Sequence, residues 1–198
     1  DTVTFATDDA DNPRTFTVNT AFTHTQGAIE LGDNHLALNE ATYTYAEGTY
    51  SAGDGMLVLN DATSDDGLIP FDTNDETVSI PNVAVQVAGG TAADASDGYQ
   101  LTSNDELEIT GMLDLDSGEL DFATNADAGV SIADGVTITR EQGTLNGSPS
   151  FAGRVSLVYE QAVTDGNEVP GNGELVNFTD NAGITVDQDL TASGTVTI

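Results

Sequence analysis

Oxygen ligands dominate what this sequence could use for chemistry. Asp and Glu number 34 against three arginines, Arg14, Arg140 and Arg154, and there is no cysteine to supply a thiolate. Hard divalent cations, Ca²⁺ above all, take six to eight carboxylate, amide and carbonyl oxygens. Residues 8–12, 61–66 and 72–76 are rich in such donors, and a fourth group is Asp114, Asp116, Glu119 and Asp121. None is an EF-hand loop: counted from Asp114, the glycine comes one position early at Gly118. Ca²⁺ is therefore the one cofactor these loops could take, and nothing in the sequence requires a cofactor. A solvated acidic face would read the same way.

The catalytic inventory is thin. His24 and His35 sit on strand-like segments with no nucleophile motif around them. Glu106 and Glu108 share a strand face at roughly 7 Å, a separation that glycoside hydrolysis can use. Any acidic strand gives that spacing, and a sugar cleft lined by aromatic platforms is hard to build with no Trp. The three arginines read as partners for nearby carboxylates. Asn177, followed by Phe178 and Thr179, fits the glycosylation acceptor pattern better than Asn146, whose motif is followed by Pro149.

A net charge of −31 excludes partners that are themselves polyanions. Phosphate backbones and anionic headgroups are bound through clustered Lys and Arg, so nucleic-acid binding is out. No apolar run approaches the ~20 residues of a membrane helix, so membrane insertion is not expected. The acidic excess without Lys resembles a surface working in high salt, where screening removes much of the mutual repulsion, and it suggests a halophilic or marine source. The chain opens at Asp1, as a product does after signal removal, and it is expected to be secreted, at the cell surface.

These residues must be held by strands. Period-2 alternation runs through residues 15–23, 41–50, 77–87, 106–115, 136–140, 150–159 and 195–198, with Asp-Gly turn signals between them. Pro81 implies a break or edge inside 77–87. Residues 107–115 and 120–122 flank a four-residue turn and read as a hairpin. A faint repeat relates 118–132 to 173–186 at an offset of about 54 to 55 residues, as two equivalent strand pairs of one sandwich would. The expectation is an all-β, single-domain β-sandwich or jelly roll of antiparallel sheets over residues 1–198, with little or no helix.

Both termini read as strands with apolar anchors, Val3 and Phe5 at one end and Val196 and Ile198 at the other. One terminal strand, 1–7 or alternatively 193–198, is therefore expected to pair with a neighbouring subunit's sheet by strand addition. The reading is a structural protein of an extracellular filament, pilus-like or matrix assembly, a homo-oligomer. Two alternatives stand beside it: a carbohydrate-binding or calcium-dependent adhesion module facing surface polysaccharide, and a polysaccharide-degrading β-sandwich enzyme.

Overall fold

The computed structural model describes residues 2–4, 13–51, 53–62, 67–87, 97–171, 174–186 and 189–198. Every segment with alternation contains strand, although 15–23, 41–50 and 150–159 each hold two strands in place of one, and no helix occurs among the described residues. The pairing differs from the expectation, because every strand pair is parallel. An antiparallel β-sandwich or jelly roll is thus corrected to a parallel β-solenoid of about seven turns. The physical reason lies at the corners. Each short turn sends the chain onto the next face instead of back along the last strand, so a strand's partner arrives one full winding later.

A first short strand, β1 (Thr2–Thr4), precedes the windings. Then come β2 (Thr15–Val18), β3 (Ala21–His24) and β4 (Ala28–Glu30), followed by β5 (His35–Asn39), β6 (Thr42–Tyr45) and β7 (Thr49–Tyr50). The middle of the chain supplies β8 (Met56–Asp61), β9 (Ile69–Asp72), β10 (Thr77–Val87), β11 (Gly98–Leu101) and β12 (Glu106–Leu115). After them run β13 (Glu119–Asp121), β14 (Gly129–Ile132), β15 (Thr137–Arg140), β16 (Thr144–Asn146) and β17 (Ser150–Phe151). The last three are β18 (Val155–Tyr159), β19 (Leu175–Asp180) and β20 (Val196–Thr197).

Three faces result. The first stacks β2, β5, β8, β10, β12, β15, β18, β19 and β20, and the second stacks β3, β6, β9, β11, β13 and β16. The third holds β1, β4 and β7, and beyond them the leading halves of β10 and β12 with β14 and β17. β10 and β12 each pass from the third face to the first without ending. Their shared bend falls between Ile80 and Asn82, where the register shifts. Pro81 marks it on one strand; on the other, Gly111 is needed because a Cβ there would lie 2.9 Å from the Pro81 carbonyl oxygen. The expected hairpin at 107–122 is a corner: β12 and β13 belong to different faces, and Gly118 turns between them at φ +83°.

Inward side chains stack in ladders, since parallel strands put equivalent positions ~4.8 Å apart. One ladder on the first face runs Phe16, Leu36, Leu57, Val83, Leu113, Ile138, Leu157 and Phe178. Its steps are 20, 21, 26, 30, 25, 19 and 21 residues, which is why no fixed period stands out in the sequence. On the second face Phe22, Tyr43 and Phe71 stack, with ring centroids 5.9 and 4.2 Å apart. Each fully buried Leu, Ile or Phe of these ladders contributes about 1.5–3 kcal/mol. Together they form one continuous core. The apparent repeat of 118–132 in 173–186 is also corrected, because it aligns β13 of the second face with β19 of the first.

Candidate functional site

The four expected cation ligands divide at the corner between the first two faces. Asp114 stands on the solvent side of β12, its carboxyl pushed up to about 6 by burial and then by the charges of Asp116 and Glu141. Glu119 and Asp121 lie on β13, and both are buried. Burial, then Asp121, raises the Glu119 carboxyl, and a hydrogen bond from Asn146 opposes the rise. Burial alone would raise Asp121 too, but bonds from Gln100, from Thr124 and from the backbone N–H groups of Ala123 and Thr124 outweigh it and hold the group below the usual range. Among the described residues no three acidic or histidine side chains gather as a metal cage.

A pH dependence follows for Asp114. A raised folded-state value means that its favourable contribution is complete below the ordinary 3.8 and is lost as pH rises through about 6. Asp114→Asn is therefore expected to raise the melting temperature at pH 8, and the gain should vanish near pH 3.5. Equal gains at both pH values would show that the effect is not the carboxylate's charge.

Other carboxylates do structural work that composition does not reveal. Buried Asp105 accepts from Thr73 Oγ1 at 3.0 Å and the Asp75 N–H at 3.2 Å on one oxygen, and from the Thr102 N–H and hydroxyl on the other. Asp61 accepts from the Gly98 N–H at 2.8 Å. Asp180 accepts from the N–H groups of Ala182, Gly183 and Ile184, first that of Ala182, and these bonds lower its pKa. Such side chains satisfy corner amides that no ladder reaches.

The expected assembly residues stand at the two ends. Val3 is 57% exposed on β1, Val196 55% on β20, and Ile198 94%. Val186, which the sequence did not single out, is 43% exposed in the C-terminal windings. Phe5 lies outside the described residues. β1 pairs with β4 and β20 with β19, so both terminal strands rest on their own sheets, and among the described residues each is the last strand of its sheet. Beside β1 is a cleft of about 200 Å³ with Val3, Phe22, Ala28 and Ile29 in its walls. His24, also in its lining, is buried edge-on to Tyr45 and Tyr50 at 5.4 and 5.5 Å. Burial lowers its pKa, and the Gly27 carbonyl partly offsets this.

A second feature lies on the outer side of the first face. Ala37, Met56, Val58 and Ala84 form an apolar cluster there, apart from the inner core. The first three help to line a groove of about 320 Å³ across β2, β5, β8 and β10. Along it Asn60 donates to Asn39 Oδ1 at 2.5 Å and Asn39 to Asn19 Oδ1 at 3.1 Å, an amide ladder over three windings. His35 contributes to the lining, and its Nδ1 is buried without a hydrogen-bond partner among the described residues.

Glu106 and Glu108 stand on the outer side of the third face, where Glu106 accepts from Thr77 Oγ1 at 2.9 Å. Asn177 is on β19 with both ends of its amide engaged: Nδ2 donates to Ser156 Oγ at 3.2 Å, and Oδ1 accepts from the Thr195 N–H at 3.0 Å. A glycan on Nδ2 would replace the bond to Ser156. No protein-family model, no curated protein and no solved structure matches the chain, so these features alone carry its functional reading.

Proposed function

We propose that the chain is a secreted structural protein of the cell surface, a subunit of an extracellular filament or matrix assembly in which solenoids join end to end. One observation carries this reading: the four large apolar side chains that are exposed among the described residues, Val3, Val186, Val196 and Ile198, all belong to the two ends of the winding. A parallel sheet also ends in a row of unpaired N–H and C=O groups, which template strand addition. The two ends of one solenoid differ, so a contact between them is head to tail, and such a contact builds a filament when it does not close. The apolar cleft beside Val3 and the protruding Ile198 suit opposite sides of that joint. The joint as proposed needs no cofactor.

Burying Val196 and Ile198 fully would supply about 3–6 kcal/mol together. The double substitution Val196→Asp/Ile198→Asp should therefore weaken the joint by a factor of about 10² to 10⁴. Sedimentation velocity in molar NaCl, where charge repulsion is screened, is expected to give large species for the natural chain and monomers for the variant. A natural chain that sediments as a monomer at high concentration would overturn the proposal.

A further inference from the structure

We propose that the groove on the outer side of the first face binds an extended, uncharged polysaccharide chain lying along the solenoid axis. The inference is independent of how the ends of the solenoid associate. Its first support is charge. The chain carries 34 carboxylates, yet none of the described residues that line this groove is Asp, Glu or Arg. An anionic polymer would be repelled by the surrounding field, and a cationic one would be drawn to the carboxylates elsewhere on the surface in preference to this lining. A neutral polyol meets neither obstacle.

The second support is the chemistry of the lining. Ala37, Met56 and Val58 give an aliphatic floor, at most 9% exposed, on the outer side of the sheet. Thr15, Thr17, Asn39, Asn60 and Gln86 stand around it with hydroxyls and amides. An apolar floor with convergent polar groups is the usual composition of a ligand site, and 320 Å³ is within the usual size range. A sugar ring presents the matching surfaces, C–H groups on its faces and hydroxyls at its edge.

The third support is spacing. The groove crosses four strands, so it runs ~14 Å along the axis in steps of ~4.8 Å. Each step is close to the length of one hexose unit in an extended chain. Asn39 and Asn60 of the lining repeat one amide at that interval, and Asn19 continues the ladder on the next winding. A polymer laid along the axis therefore meets the same donor and acceptor at successive units, which a globular partner would not.

Isothermal titration in molar NaCl with cellohexaose, mannohexaose and hexa-N-acetylchitohexaose, and with hexagalacturonate as the anionic comparison, tests this. At least one neutral hexasaccharide is expected to bind with Kd below about 1 mM, and hexagalacturonate more weakly. Thr17→Glu puts a carboxylate at an exposed position of the lining, where it should fold normally. It should raise Kd about tenfold or more, a loss of ~1.4 kcal/mol, while Thr139→Glu on β15, outside the groove, should leave Kd unchanged. No saturable binding by any neutral hexasaccharide, tighter binding of hexagalacturonate, or equal Kd for Thr17→Glu and the natural chain would each overturn the assignment. Loss of self-association in Thr17→Glu without any sugar binding would instead make the groove a contact between copies of the chain, and would overturn it too.

Discussion

Replacing Arg140 by methionine is expected to destabilise the protein by about 3–5 kcal/mol, because it strands a buried carboxylate. Arg140 occupies an inward position of the first face, in register with Leu115 and Tyr159, where most neighbouring windings carry apolar side chains. It pairs with Glu168, and the two are 7% and 1% exposed. Glu168 Oε1 also accepts from the Tyr159 hydroxyl at 2.7 Å and the Gly166 N–H at 3.1 Å. Burial, and then the Glu168 charge, hold the Tyr159 phenol protonated far above its ordinary range. The pair is not saturated, since Arg140 Nε and Glu168 Oε2 are buried without hydrogen-bond partners among the described residues. Adding Glu168→Gln to Arg140→Met removes the charge and keeps an acceptor for Tyr159, so the double variant should recover most of the loss. Urea unfolding at fixed salt checks both. A single variant that costs under about 1 kcal/mol would mean that the pair behaves as a solvated one.

Salt should move stability almost as far. At −31, repulsion acts across the whole surface, and it is concentrated where Asp114, Asp116 and Glu141 approach one another. The Debye length falls from about 10 Å at 0.1 M to about 3 Å at 1 M salt, which removes most of that repulsion. The melting temperature is expected to rise by on the order of 10 °C between dilute buffer and 2 M NaCl, given that 1 kcal/mol corresponds to about 2–4 °C at this size. Equal melting temperatures would remove the case for a high-salt habitat.

Strand positions were legible in the sequence, and strand partners were not. Residues 77–87 and 106–115 form β10 and β12 with those bounds, and Pro81 marks the break that it implied. Residues 15–23, by contrast, read as one strand and form two, β2 and β3, on different faces. Alternation reports that one side of a strand is buried, and both an antiparallel sandwich and a solenoid bury one side. What separates them is a repeat, and here windings of 19 to 30 residues blur it. The Asp-Gly signal at Gly135 does turn the chain with positive φ, but from β14 onto β15 and so onto a new face.

The site was legible to a similar degree. Val3, Val196 and Ile198 are exposed at the ends, whereas Asp114 and Asp121 belong to different faces because a corner intervenes. The Arg140 pairing with Glu168 spans 28 residues and the outer groove draws on four strands, so no local spacing announces either.

Electron cryo-microscopy of the protein assembled in molar salt tests end-to-end joining most directly. Unbranched filaments are expected, with strands perpendicular to the axis, a ~4.8 Å spacing continuous across each joint and roughly 34 Å of rise for the seven or so turns of each chain. Separate monomers, or filaments in which the faces rather than the ends are in contact, would contradict it.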